Sequence, residues 1–144
     1  MPSKKILFLT TQLPYPPNSG GTVKSWNYVK HLAKNYTLSV GCLLKGDDQK
    51  HEHDFKTKVQ LAAFFSESQN TPRTALNLLK SYLLSKSLNI YRNKNSVFKE
   101  KVLRHAKNVD IIILDHYEVF QFVPKEFKGK LVMHTHNAEF MLWQ

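Results

Sequence analysis

The chain has one cysteine, Cys42, in 144 residues. It lies within an apolar run and reads as a small core residue, so nothing implies disulfides or an oxidising compartment. No apolar run approaches the roughly 20 residues that span a bilayer. Met1 to Lys5 leads into an apolar stretch too short and wrongly flanked for a secretory leader, so a cytoplasmic location is expected. Acidic residues are also scarce: 11 Asp and Glu stand against 21 Lys and Arg, a formal net charge of +10. That balance favours anionic partners such as nucleic acid, phospholipid headgroups or a phosphorylated substrate. The charge is mostly lysine scattered along helical stretches rather than an arginine-rich block, which is also how a solvated surface reads. Several chemical signatures are missing. There is no GxxxxGK[ST] phosphate loop, no GxGxxG fingerprint with an acidic residue closing the second strand, no HExxH helix and no nucleophile elbow. These absences disfavour an ATPase, a dinucleotide dehydrogenase and a triad hydrolase.

What is present is organised around the first strand. Lys5 to Thr10 is a continuous apolar run, followed by a proline-containing loop from Thr11 to Ser19, then Gly20-Gly21, then a helix over about Thr22 to Lys34. Strand, glycine turn and helix N-terminus together make a phosphate-sized anion site, with backbone N–H groups and the positive end of the helix dipole aimed at one spot. The plainer reading is a turn that uses glycine for its backbone angles. Both stand at this point.

The remaining pattern alternates strands and helices. The first helix carries Val23, Trp26, Val29, Leu32, Ala33 and Tyr36 near helical spacing. Thr37 to Leu44 reads as a second strand, followed by a turn at Lys45 to Asp48 and a polar helix to about Lys58, capped by Asp47 or Asp48. Val59 to Phe65 reads as a third strand and Ser66 to Asn70 as a polar loop. Thr71-Pro72 opens a helix with an apolar face of Ala75, Leu76, Leu79, Tyr82 and Leu83. Ser85 to Asn95 is irregular. A helix over about Ser96 to Lys107 has Phe98, Val102, His105 and Ala106 on one stripe, and there His105 reads as a half-buried packing residue. Val109 to Leu114 and Leu131 to Met133 read as the fourth and fifth strands, and Ala138 to Gln144 as the start of a last helix.

This alternation, without repeats or low-complexity linkers, predicts one α/β domain over residues 1–144: a single Rossmann-like, doubly wound parallel sheet of about five strands with helices on both faces. Ligands of such sheets bind outside the carboxyl ends of the strands. Three clusters fall there: the Ser19 to Gly21 loop, Asp115-His116, and His134 to Asn137. His116 is the candidate catalytic group. The spacing of His134 and His136, with Asp115 and His116 one strand away, invites a metal, but zinc needs at least three placed ligands and none of its usual patterns occurs; no metal is expected.

The segments Leu13-Pro14-Tyr15-Pro16-Pro17-Asn18-Ser19-Gly20-Gly21 and His136-Asn137-Ala138-Glu139-Phe140, with Asp115-His116 after the fourth strand, resemble the N-terminal domain of retaining glycosyltransferases of the GT-B fold, family 4. The resemblance implies transfer of a sugar from a nucleotide-sugar donor, as substrate rather than cofactor, to a polysaccharide or lipid-linked acceptor. It implies Gly20 and Gly21 facing the donor diphosphate, His116 contacting the transferred sugar near Asp115, and His136, Asn137 and Glu139 lining the acceptor side. It also implies a C-terminal nucleotide-binding domain that this chain does not contain, hence no transferase activity for the chain alone. On that reading the positive charge docks a membrane surface of anionic lipid, at the inner face of the cell membrane, and an isolated half forms a dimer through the face its missing domain would cover. The alternative is a basic, non-enzymatic binding module for nucleic acid or a partner protein. Nucleic acid is disfavoured because basic and aromatic residues do not interleave along one element.

Overall fold

The computed structural model describes residues 3–84 and 87–134. Five strands form one parallel sheet: β1 (Lys5–Thr10), β2 (Thr37–Leu44), β3 (Ala63–Ser68), β4 (Ile111–Leu114) and β5 (Lys130–Met133), in the order β3-β2-β1-β4-β5. β1 is central, with Phe8 in register with Val40 on one side and Ile113 on the other. A strand buried on both faces needs apolar residues at every position, which accounts for the unbroken Ile6 to Leu9 run.

Successive side chains of β1 enter different cores. Ile6 and Phe8 join Leu38, Val40 and Cys42 of β2 beneath α1 (Gly20–Asn35) and α2 (Asp48–Lys58), which supply Trp26, Val29, Leu32 and Phe55. Leu7 and Leu9 join Ile112 and Leu114 of β4 on the opposite face. That face is covered by Phe98, Val102 and Ala106 of α5 (Ser96–Ala106) and by Val119 and Phe122 of a 3-10 helix (Tyr117–Phe122). The helices therefore lie on both faces, and the fold is the doubly wound α/β arrangement that the alternation predicts. After β2 the chain turns at Gly46, whose φ of +53° is a left-handed conformation suited to glycine.

Several boundaries differ from expectation. β3 begins at Ala63 rather than Val59, and runs on through the supposed polar loop to Ser68. It is an edge strand, so polar residues are tolerated there: Ser66 donates to Glu52, and Lys101 pairs with Glu67 at 2.5 Å. The stretch expected to be irregular holds a short helix, α4 (Leu88–Arg92), capped by Ser87. On α1 the buried stripe is Thr22, Ser25, Trp26, Val29 and Leu32, whereas Val23 and Tyr36 are exposed. The helix after β3, α3 (Ala75–Leu83), is capped by Thr74 rather than Thr71. Its apolar face also points outward: Leu76, Leu79, Tyr82 and Leu83 are 59%, 55%, 80% and 72% exposed, and the buried residue of this helix is Ser81. Helical periodicity identifies an apolar stripe but not what covers it.

Among the described residues no helix is long and apolar enough to cross a membrane.

Candidate functional site

The sheet order reverses direction between β1 and β4, and the carboxyl ends of these two strands flank the crevice where doubly wound sheets take ligands. Thr10 ends β1, and Asp115 follows β4 directly. The Thr10 hydroxyl donates to Asp115 Oδ2 at 3.1 Å, closing the two strand ends across the crevice. From α1 the Ser25 hydroxyl reaches the same oxygen at 2.7 Å, while lying 3.0 Å from the Gly21 carbonyl. Its single proton favours the carboxylate, the nearer and charged acceptor. Asp115 Oδ1 meets His134 Nδ1 at 2.8 Å, just beyond β5.

Asp115 is thus fully buried yet bonded through both oxygens. Burial of a carboxylate is tolerated when donors replace its water. Four segments converge on it: the ends of β1, β4 and β5, and the first turns of α1. A carboxylate partner places the proton of His134 on Nδ1 and directs Nε2 the other way. The His134 ring also packs on Tyr28 of α1, with ring centroids 4.4 Å apart. His116, partly exposed, has Nδ1 3.6 Å from Asp115 Oδ2 and opens the 3-10 helix as its N-cap residue.

At the start of α1, Ser19 forms a capping box with Thr22, its hydroxyl accepting from the Thr22 N–H at 3.3 Å. Gly20 and Gly21 follow directly, and a Cβ placed on Gly20 would meet nothing within 4 Å. The first turn carries no acidic residue. The Thr22 N–H is taken by the Ser19 cap, while the positive end of the helix dipole favours negative charge beside Gly20 and Gly21.

The structure brings Gly20, Gly21, Asp115 and His116 to one edge, together with His134. His136, Asn137 and Glu139 lie outside the described residues, as does the expected last helix. Among the described residues no three His, Cys, Asp or Glu side chains are grouped to hold a metal ion. Thr10, Ser25 and Tyr28 are site residues that sequence reasoning missed. Ser25 had a legible signal, a hydroxyl three positions from Thr22 and one from Trp26 on the inward stripe of α1. A cavity of about 600 Å³ lined by Leu103, Val109 and Phe127 lies at the other end of the strands, ahead of β4 and β5, and takes no part in this cluster.

No family model matches the chain, and no curated protein matches it. Among solved structures it is similar to the C-terminal domain (residues 78–226) of a hydrogenase from Pyrococcus furiosus, at 14% identity and a TM-score of 0.54, over 94% of each chain. A second structure of that domain, covering residues 83–215, matches at 15% identity and a TM-score of 0.49, over 93% of this chain and 94% of that one. Similarity at such identity shows the fold alone. The resemblance to glycosyltransferase family 4 is overturned: no family model or curated protein supports it, and the structural neighbour is described as a hydrogenase domain and not a glycosyltransferase. The residues behind that resemblance have local explanations. Ser19 and the two glycines cap and open a helix, Leu13 is buried in the core, and Asp115 ties strand ends to α1.

Proposed function

We propose that this chain is a small-molecule-binding α/β domain whose ligand is a phosphate ester held at the carboxyl edge between β1 and β4. The anionic group sits against the Gly20 and Gly21 N–H groups at the start of α1, and the uncharged part of the ligand lies toward His116. The observation that carries this reading is the convergence on Asp115 of Thr10, Ser25 and His134, which fixes the first turns of α1 beside the crevice. A preorganised helix start at a switch point suits an anion because its donors need no rearrangement on binding. The net charge of +10 adds attraction at longer range.

Thermal unfolding with a set of nucleoside diphosphates tests the reading. At about 100-fold excess over Kd, binding raises stability by about 2.7 kcal/mol, an upward shift of several degrees. The variant Gly20→Glu is informative because an acidic residue in the first turn suits the helix dipole while repelling an incoming anion. It is expected to fold at least as well as wild type and to lose the ligand shift. A wild-type protein unmoved by every nucleoside diphosphate refutes the reading.

A second reading, docking on an anionic bilayer, draws on the outward apolar face of α3, which carries Lys80 and is preceded by exposed Arg73. Apolar contact plus lysine and arginine charge is the combination that interfacial helices use. Co-sedimentation with phosphatidylglycerol vesicles that weakens as salt rises supports it; no co-sedimentation at low salt refutes it.

A further inference from the structure

Away from Asp115, at the carboxyl ends of β2 and β3, a separate cavity of about 250 Å³ is lined by Lys45, Arg92, Asn93 and the loop residues Gln69, Asn70 and Thr71. Two cations and no carboxylate line it. Neither Lys45 nor Arg92 forms an ion pair among the described residues. Burial pushes the Lys45 ammonium below the ordinary lysine range; the Glu118 carboxylate opposes this and the positive charge of Arg92 adds to it. The Glu118 and Asp48 carboxylates act on Lys45 without lining the cavity, and an anion within it would meet both cations.

The cavity wall is built to hold Arg92 in place. Arg92 Nε donates to the Thr71 carbonyl at 2.7 Å, and the Arg92 carbonyl accepts from Gln69 Nε2 at 2.7 Å. Gln69 is fixed in turn by Asn95, whose Nδ2 donates to it at 3.1 Å. With Nε engaged, the terminal nitrogens of the guanidinium remain to present a fork to an anion. Next to Arg92, Asn93 is 4% exposed. Its Nδ2 donates to the Asn89 carbonyl at 2.8 Å, which fixes the amide orientation, and its Oδ1 has no hydrogen-bond partner among the described residues. A buried acceptor left in this way costs about 1–3 kcal/mol, and a ligand donor would offset it.

We infer that this cavity is a binding site for a small phosphate monoester bearing a hydroxyl beside the phosphate, with the phosphate between Lys45 and Arg92 and the hydroxyl donating to Asn93 Oδ1. The volume suits a three- to six-carbon polyol phosphate and not a nucleotide. The site is independent of the Gly20–Gly21 helix start, and either can fail without the other.

Calorimetric titration of the full chain with glycerol 3-phosphate, inorganic phosphate and glycerol tests it. The ester is expected to bind, inorganic phosphate to bind several-fold more weakly, and glycerol not to bind. Lys45→Gln and Arg92→Gln should each weaken the ester by about tenfold or more. Lys45→Gln should fold normally because the Lys45 side chain makes no hydrogen bond among the described residues. The titrations are run in the Gly20→Glu background, which removes the other anion site, so that the ester binding measured belongs to this cavity. Ester binding that survives both cation variants overturns the inference, as does the absence of saturable binding by wild type up to about 10 mM ester. Equal binding of ester and inorganic phosphate overturns the role given to Asn93. Binding to phosphatidic acid vesicles without binding of the soluble ester overturns the assignment to a small molecule.

Discussion

Ser25 Oγ and Asp115 Oδ2 lie 2.7 Å apart, although 90 positions separate the two residues in sequence. This contact joins the helix after β1 to the end of β4, the two elements that flank the crevice. It sets the position of the α1 first turn relative to His116, and so governs the geometry that the proposed ligand meets. Replacing Asp115 by Ala should cost about 2–4 kcal/mol, because the Thr10 and Ser25 hydroxyls and His134 all lose a buried acceptor. Ser25→Ala alone should cost about 1 kcal/mol, and nearly nothing further once Asp115 is gone. Urea unfolding of both single variants and the double variant measures this coupling. Additive costs would mean that the two residues do not act together.

The outward face of α3 predicts a contrast with α5. Replacing Leu76, Leu79 or Leu83 by Ser should change stability by no more than about 0.5 kcal/mol each, since these side chains are already in water. Phe98→Ala on α5 should cost about 3–5 kcal/mol, because Phe98 is fully buried against Phe65 and Phe122. Denaturant midpoints at constant slope distinguish the two classes.

Gly41 in the middle of β2 is required by packing. A Cβ there would stand 2.5 Å from Phe65 Cζ and 2.9 Å from Leu9 Cδ2. Gly41→Ala should therefore destabilise by about 1–3 kcal/mol. Part of that loss should return in the background Phe65→Leu, whose smaller side chain vacates the position, and thermal unfolding of the four proteins completes the cycle.

His105 stacks on Phe65, with centroids 4.4 Å apart and planes within 11°. Burial, and then the neighbouring Arg104 charge, hold its imidazole below the ordinary value of 6.5. Above that value His105 is neutral in both the folded and the unfolded chain and contributes no pH dependence. As pH falls below it, the unfolded chain takes up the proton first, so stability declines until the folded group also protonates. His105→Phe should show a shallower decline than wild type over this acidic window. Identical slopes would refute the assignment.

The fold was legible where physics is local. The unbroken apolar run of β1, the alternation of strands with helices, and the Gly20-Gly21 turn ahead of an amphipathic stretch are properties of neighbouring residues, and they placed the central strand, the sheet class and α1 close to where they lie. β3 was misplaced because an edge strand need not be apolar, so Ser66 to Ser68 resemble a loop. α3 was recognised as amphipathic, but its outward orientation depends on what the rest of the chain leaves uncovered. The site was legible only as separate clusters at strand ends. Its hub is Asp115, whose partners Thr10, Ser25 and His134 come from three other segments, and no spacing rule links them. The Lys45–Arg92 cavity was illegible for the same reason, since those residues meet only through the β2 turn and α4.

The most direct test of the proposed function is an amide NMR titration of the wild-type chain with ADP. Saturable shifts are expected, centred on Gly20, Gly21 and the first turn of α1, extending to His116, and lost in Gly20→Glu. Shifts that saturate elsewhere with Gly20 and Gly21 unmoved, or no shifts up to about 10 mM ligand, would contradict the proposed function.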